Sequence, residues 1–155
     1  MDLQKDFHKY NLITGWGVFL IALLTYGLSV EPTVSFWDCG EYIATSAKLE
    51  VGHPPGAPFF QMVGAFFASF SPSPEKTALF VNYISVFSSA FTILFLYFII
   101  VNFTKKIALT KREALSNSQV IGLYGSGLVG ALAYTFSDSF WFNATETEVY
   151  AMAML

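Results

Sequence analysis

Three stretches of the chain carry no Asp, Glu, Lys or Arg over a length that suits a bilayer crossing: residues 12–30, 78–103 and 118–136. As a helix the first reaches roughly 28 Å at about 1.5 Å per residue, close to the thickness of the hydrocarbon layer. The second is longer and is expected to tilt or to begin outside the apolar core. A fourth apolar stretch, residues 57–70, is too short to span and reads as a re-entrant or interfacial helix. Between the first span and this stretch, residues 38–51 follow a helical period. Asp38, Glu41, Thr45 and Lys48 fall on one face and Ile43, Ala47 and Val51 on another, with Ser35 placed to cap the helix and Asp38 in its first turn. The pattern predicts an all-α integral membrane domain over residues 1–155. It has three transmembrane helices, an amphipathic helix lying on the membrane, a short re-entrant or interfacial helix, and outer loops at 31–77 and 137–150.

Composition agrees. Hydrophobic types make up 54% of the 155 residues and charged types 12%, against about 25% charged in a soluble domain. Lipid is therefore the main solvent. The aromatic share of 18% supplies side chains for an interfacial belt. The apolar run of the first span is longer than a signal-peptide core and no small-x-small cleavage site follows it, so it reads as a retained span.

The placement of charge sets an orientation. Lys5 and Lys9 precede the first span, and Lys105, Lys106, Lys111 and Arg112 fill the link between the second and third. The 31–77 loop is acidic on balance, and the 137–150 segment holds Asp138, Glu146 and Glu148 without a base. Basic loops stay cytoplasmic, which puts the N-terminus inside and both acidic segments outside. A net charge of −3 argues against a nucleic-acid partner held by a basic face. The single cysteine, Cys39, cannot form an internal disulfide. Gly122, Ser126 and Gly130 recur every fourth residue, a spacing that lets another helix come close. The chain stops within an apolar run at 151–155 without a helix-stop signal, which suggests the N-terminal part of a larger membrane protein or a subunit of an assembly.

Candidate chemistry lies in the outer segments. Asp38 and Glu41, at i and i+3, repel each other on one face, a repulsion that a metal, a phosphate-bound cation or a proton would relieve. Trp37 sits beside Asp38 at the interface. Gly40 inside the helix, at a cost of about 1 kcal/mol relative to Ala, suggests a close approach by backbone or ligand. His53 heads a proline-rich turn, Gly52-His-Pro-Pro-Gly-Ala-Pro58, as a structural corner or as a rim that meets an anion or a proton. Glu146 and Glu148 follow the aromatic cluster Phe140, Trp141 and Phe142. In a helix the two would face apart, whereas in an extended segment they could share a ligand.

The order of these parts resembles the GT-C superfamily of membrane glycosyltransferases, whose first outer loop carries an acidic motif followed by a proline-rich turn. Within it, Phe36-Trp-Asp-Cys-Gly-Glu-Tyr-Ile-Ala44, Leu49-Glu-Val-Gly-His-Pro-Pro-Gly-Ala-Pro58 and Trp141-Phe-Asn-Ala-Thr-Glu-Thr-Glu-Val-Tyr150 are similar to a family of large bacterial membrane proteins, many from Bacteroidetes. That family also includes a vertebrate endoplasmic-reticulum protein O-mannosyltransferase. The resemblance implies the N-terminal part of a GT-C bundle that moves a sugar, mannose by analogy, from a polyprenyl-phosphate donor to a hydroxyl of a protein or glycan acceptor. On that reading Asp38 and Glu41 are the catalytic candidates, and His53, Glu146, Glu148, Trp37 and Tyr150 bind substrate. No cofactor is certain and a divalent metal is a candidate, its ligands unknown. The family's distribution points to a bacterial inner membrane, with the endoplasmic reticulum as the eukaryotic counterpart. The competing reading is a non-catalytic membrane subunit or scaffold; the absence of ionisable residues within the spans argues against an ion-translocating component.

Overall fold

The computed structural model describes residues 5–110 and 115–155, and among these every regular element is helical, with no strand. The elements are α1 (Phe7–Ser29), α2 (Cys39–Lys48), α3 (Pro58–Ala68), a single 3₁₀ turn (Pro74–Lys76), α4 (Thr77–Thr110), α5 (Asn117–Thr135), α6 (Asp138–Thr145) and α7 (Val149–Ala153). Two helices, α1 and α4 with its leading turn, are each long and apolar enough to cross a membrane, and α5 with α6 makes a third if that pair, bent by 66°, is counted as one span. Of the expected basic link, Lys105 and Lys106 are described, while Lys111 and Arg112 lie outside the described residues.

Helix α4 is the axis of the molecule and touches every other helix. Its apolar side packs Val86, Ala90, Ile93, Tyr97 and Val101 against Val18, Ala22 and Tyr26 of α1 and Val120, Leu123 and Ala131 of α5. Tyr26 is fully buried and donates its hydroxyl to the Thr135 carbonyl at 2.9 Å, tying α1 to the end of α5. A second cluster joins Cys39 and Ile43 of α2, Phe60 of α3, and Val81 and Ile84 of α4. Ile13, Leu20, Leu24 and Leu28 on the far side of α1 remain exposed. Water would penalise that row and lipid would not.

Local chemistry explains where the helices start and bend. Ser116 accepts from the Gln119 N–H and the Gln119 side chain accepts from the Ser116 N–H, a reciprocal cap that starts α5. At the other end the Ser137 hydroxyl donates to the Tyr134 carbonyl, and the chain turns sharply into α6. The two ends of the bundle differ in charge. At one, Lys105 lies 4.0 Å above the Phe7 ring and Tyr124 donates to the Phe7 carbonyl. At the other, the acidic segments meet.

Two sequence expectations shift in register. Of the Gly122, Ser126 and Gly130 series, Gly130 and Ser126 meet α4 and Gly122 does not, and Gly127, outside the series, makes the tightest approach. A Cβ on Gly127 would meet Val101 Cγ2 at 2.5 Å and the Tyr97 ring at 2.8 Å, whereas one on Gly122 would meet nothing within 4 Å. Helix α2 ends at Lys48, with Leu49 left-handed at φ 54°, and it buries Cys39, Ile43, Thr45 and Ser46 while Ala47 and Val51 are exposed. Thr45 turns inward because Gln61 of α3 donates to its hydroxyl at 3.1 Å.

Gly127→Leu is expected to destabilise the bundle by about 1–3 kcal/mol through overpacking against Tyr97 and Val101, and Gly122→Leu to leave it nearly unchanged. Chemical unfolding in detergent micelles, followed by tryptophan fluorescence, measures the difference.

Candidate functional site

The segment that enters α2 folds back on itself. Trp37 adopts a left-handed φ of 59°, a conformation that costs an aromatic residue of order 1 kcal/mol. This turn delivers Asp38 to the N-cap position of α2. Ser35 does not cap the helix as its spacing suggested, because its hydroxyl is given to the Glu146 carboxylate. The close approach expected at Gly40 is made by the chain itself, since a Cβ there would meet Val34 Cγ1 at 3.1 Å.

Glu41 leaves the next turn of α2 toward the proline-rich corner. Its Oε1 accepts the His53 N–H at 2.6 Å and its Oε2 lies 2.9 Å from His53 Nδ1. Gly52 makes room for this pair, since a Cβ there would fall 2.8 Å from Glu41 Oε1. The corner contains a cis bond between Pro54 and Pro55 and a left-handed Gly56 at φ 75°. The two bonds from His53 hold the Glu41 carboxyl below its ordinary pKa, the backbone bond contributing most. The bond to Glu41 in turn raises the His53 imidazole. Both groups are well exposed, so solvent screens the pair. The repulsion anticipated between Asp38 and Glu41 is thus relieved on the Glu41 side by His53.

The second acidic segment is extended where it carries its carboxylates. Glu146 has φ −132°, ψ 163° and Glu148 has φ −136°, ψ 144°, between the end of α6 and the start of α7. In that geometry residues i and i+2 face the same way, the arrangement that lets the two share a ligand. Both are buried, at 4% and 7% exposure. Burial pushes the Glu146 carboxyl up, partly offset by the Ser35 bond and reinforced by Glu31. Burial also pushes Glu148 up, reinforced by the negative charges of Glu146 and Asp38.

Hydrogen bonds join the two segments. The Glu31 N–H donates to the Thr145 carbonyl at 2.8 Å, and the Trp141 indole N–H donates to the Ser29 hydroxyl at 3.1 Å. The Thr147 hydroxyl donates to the side chain of Asn82 on α4. Trp37, Asp38, Glu146, Glu148 and Tyr150 consequently line a single cavity of about 280 Å³, together with Phe142 and Asn143. Five of the seven residues singled out from sequence meet there. Glu41 and His53 do not line it but adjoin it through Asp38: one ligand atom from each of Asp38, Glu41 and His53 lies within 4.8 Å of the others, so the trio could hold a cation. A larger cavity of about 430 Å³ between α3 and α7 is apolar, lined by Pro58, Phe59, Phe60, Val149 and Met152 among others.

Sequence reasoning missed Ser35 as a carboxylate partner and missed Asn82 and Thr147 entirely. A polar amide within an otherwise apolar span is the signal that could have drawn attention to Asn82.

Apolar helices long enough to cross a bilayer, with an acidic, aromatic-rimmed cavity at one end of their bundle, define an integral membrane protein. Residues 38–155 match the family model described as "Protein O-mannosyl-transferase TMEM260 N-terminal domain", and the chain belongs to this O-mannosyltransferase-like family. It is similar to "Protein O-mannosyl-transferase tmem260" of Dictyostelium discoideum, with 26% identity over 136 residues. The match covers 87% of this chain and 14% of that protein, so the chain spans about one seventh of the relative's length. No solved structure matches.

The paired titrations of the corner have opposite signs. Glu41 contributes stability above its ordinary pKa of 4.5, lost as pH falls through its lowered value. His53 contributes below 6.5, and that contribution is lost as pH rises through its raised value. The corner is therefore tightest between these limits. Nuclear magnetic resonance titration of the His53 ring is expected to give a midpoint above 6.5 that returns toward 6.5 in Glu41→Gln. An unshifted midpoint in the unsubstituted protein would contradict the pairing.

Proposed function

We propose that this chain forms the acceptor-and-donor corner of a GT-C-type glycosyltransferase, which moves a mannosyl group from a polyprenyl-phosphate donor to a hydroxyl on a protein. The observation that carries this reading is the convergence of Asp38, Glu146 and Glu148 with Trp37 and Tyr150 on one cavity. Family membership supports a transferase class, and the similarity to a protein O-mannosyl-transferase supports mannose and a protein acceptor. The lipid-linked donor is what the resemblance to GT-C enzymes implies, and a site at the end of an apolar bundle, where a lipid-borne phosphate and a water-borne hydroxyl can meet, is compatible with it.

In this reaction the acceptor oxygen attacks the anomeric carbon of the sugar, and the bond from that carbon to the phosphate oxygen breaks, leaving its electron pair on the lipid phosphate. The acceptor proton passes to Asp38, whose carboxylate is exposed at the cavity. His53, its proton held more firmly by Glu41 and adjoining the cavity through Asp38, is our candidate to meet the departing phosphate. Glu146 and Glu148, kept largely out of water, fix sugar hydroxyls by hydrogen bonds, and Trp37 and Tyr150 offer ring faces to the sugar. Asp38, Glu41 and His53 are spaced to take a cation as well as to keep the His53–Glu41 bonds, so loss of transfer in excess chelator would show that the corner needs a metal, and undiminished transfer that it does not. Helices α2 and α3 lie at the interface in this reading, and the acidic end faces away from the cytoplasm, opposite Lys105 and Lys106. The membrane is then that of the bacterial periplasmic face or its endoplasmic-reticulum equivalent.

Asp38→Asn in the full-length protein is expected to lower transfer by about 10²–10⁴-fold, with protein level in the membrane unchanged. Transfer of radiolabelled mannose from polyprenyl-phosphate mannose to protein measures it. Turnover equal to that of the unsubstituted enzyme would remove Asp38 from this role, and a scaffold would show no transfer in either form.

A further inference from the structure

We propose that Asn82 is the positioning residue that holds the Glu146–Glu148 segment against the Asp38 segment. Asn82 lies in the second turn of α4 and is completely buried. Its amide nitrogen donates to the Glu31 carbonyl at 2.7 Å and to the Thr33 carbonyl at 3.0 Å. Its amide oxygen accepts from the Thr147 hydroxyl and lies 3.9 Å from the Cys39 thiol. Both donor positions and the acceptor of one side chain are thereby spent on three pieces of chain. These are the loop leading to Asp38, the residue just after Asp38, and the residue between Glu146 and Glu148. The amide is oriented by the two carbonyls, which can only accept and so take its nitrogen, leaving its oxygen to the Thr147 hydroxyl. An aspartate would set a second acceptor against two carbonyls, and a leucine would leave Glu31, Thr33 and Thr147 without these bonds in a buried site. Asn82 touches neither side of the cavity lining itself; it acts through Thr147 and through the backbone ahead of Asp38.

The catalytic consequence rests on the glycosyl-transfer reading, while the structural one does not, and the experiment separates them. Asn82→Asp, Asn82→Leu, Thr147→Val and Thr147→Ser are made in the full-length protein in its membrane. Two quantities are read: the rate at which a maleimide modifies Cys39, followed by peptide mass spectrometry, and kcat and KM for mannosyl transfer.

Cys39, buried beneath this amide, is expected to react about tenfold faster or more in both Asn82 variants and in Thr147→Val, and at the original rate in Thr147→Ser. In the same variants kcat is expected to fall about tenfold or more with KM changed far less, since misplacement of a reacting group by a fraction of an ångström acts on the chemical step; Thr147→Ser restores it. Unchanged Cys39 protection in Asn82→Asp and Thr147→Val overturns the tether. Faster labelling with kcat intact overturns the positioning role. If the Asn82 variants fail to accumulate, Thr147→Val, which removes a single bond, decides by the same two readouts. Absence of transfer in the unsubstituted protein defeats the glycosyl-transfer reading and leaves the labelling result to judge the tether.

Discussion

The structure depends on keeping two glutamates, one residue apart, largely out of water at the end of an apolar bundle. Burial of a carboxylate is costly unless hydrogen bonds or a proton compensate it. Glu146 is met by the Ser35 hydroxyl, whereas the carboxyl of Glu148 is pushed up by burial and by two neighbouring negative charges. Such a group favours the folded chain below its ordinary pKa of 4.5 and costs stability as pH rises above it. The extended segment between α6 and α7 is held in place by the bonds of Thr145 to Glu31, Glu146 to Ser35 and Thr147 to Asn82. The strain at Trp37 belongs to the same economy of position: it turns the chain so that Asp38 faces those glutamates.

Much of this was legible in the residues. Runs without charge gave the long helices, because hydrocarbon excludes Asp, Glu, Lys and Arg over a fixed length. The proline and glycine density at 52–58 gave the corner, and the alternation Glu146-Thr-Glu148 allowed the extended geometry that the two carboxylates adopt. Convergence of Asp38 with Glu146 and Glu148 followed from charge placement, which assigned both segments to one end. What was hidden depends on partners distant in sequence. Thr45 looked like part of a wetted face until Gln61 supplied its bond. Ser35 looked like a cap, yet its hydroxyl serves a carboxylate 111 positions away. The tightest helix contact falls at Gly127, outside the more regular Gly122 series, because Tyr97 and Val101 decide which glycine is needed, and they lie on another helix.

The acidic corner also shows two different ways to manage negative charge within a few residues. Glu41 is exposed and neutralised by His53, so water and a mobile proton share the work. Glu146 and Glu148 are buried and lack a basic partner among the described residues, so hydrogen bonds and protonation must suffice. Asp38 stands between the two regimes, exposed to solvent yet lining the cavity.

The bend after α5 completes the geometry. Glu146 lies ten residues beyond Phe136, so a straight continuation of α5 would carry it about 15 Å further along the same axis. It would then stand clear of the first turns of α4, where Asn82 sits. The 66° turn into α6 instead lays Phe140 and Ala144 on the bundle and returns the chain to Glu31 and Asn82. The break that makes the third span ambiguous as a membrane crossing is thus the same feature that brings the second pair of carboxylates to the first acidic segment. Helix α6 therefore serves both parts at once: Phe140 and Ala144 complete the core against α1 and α4, and its length sets where Glu146 meets Ser35.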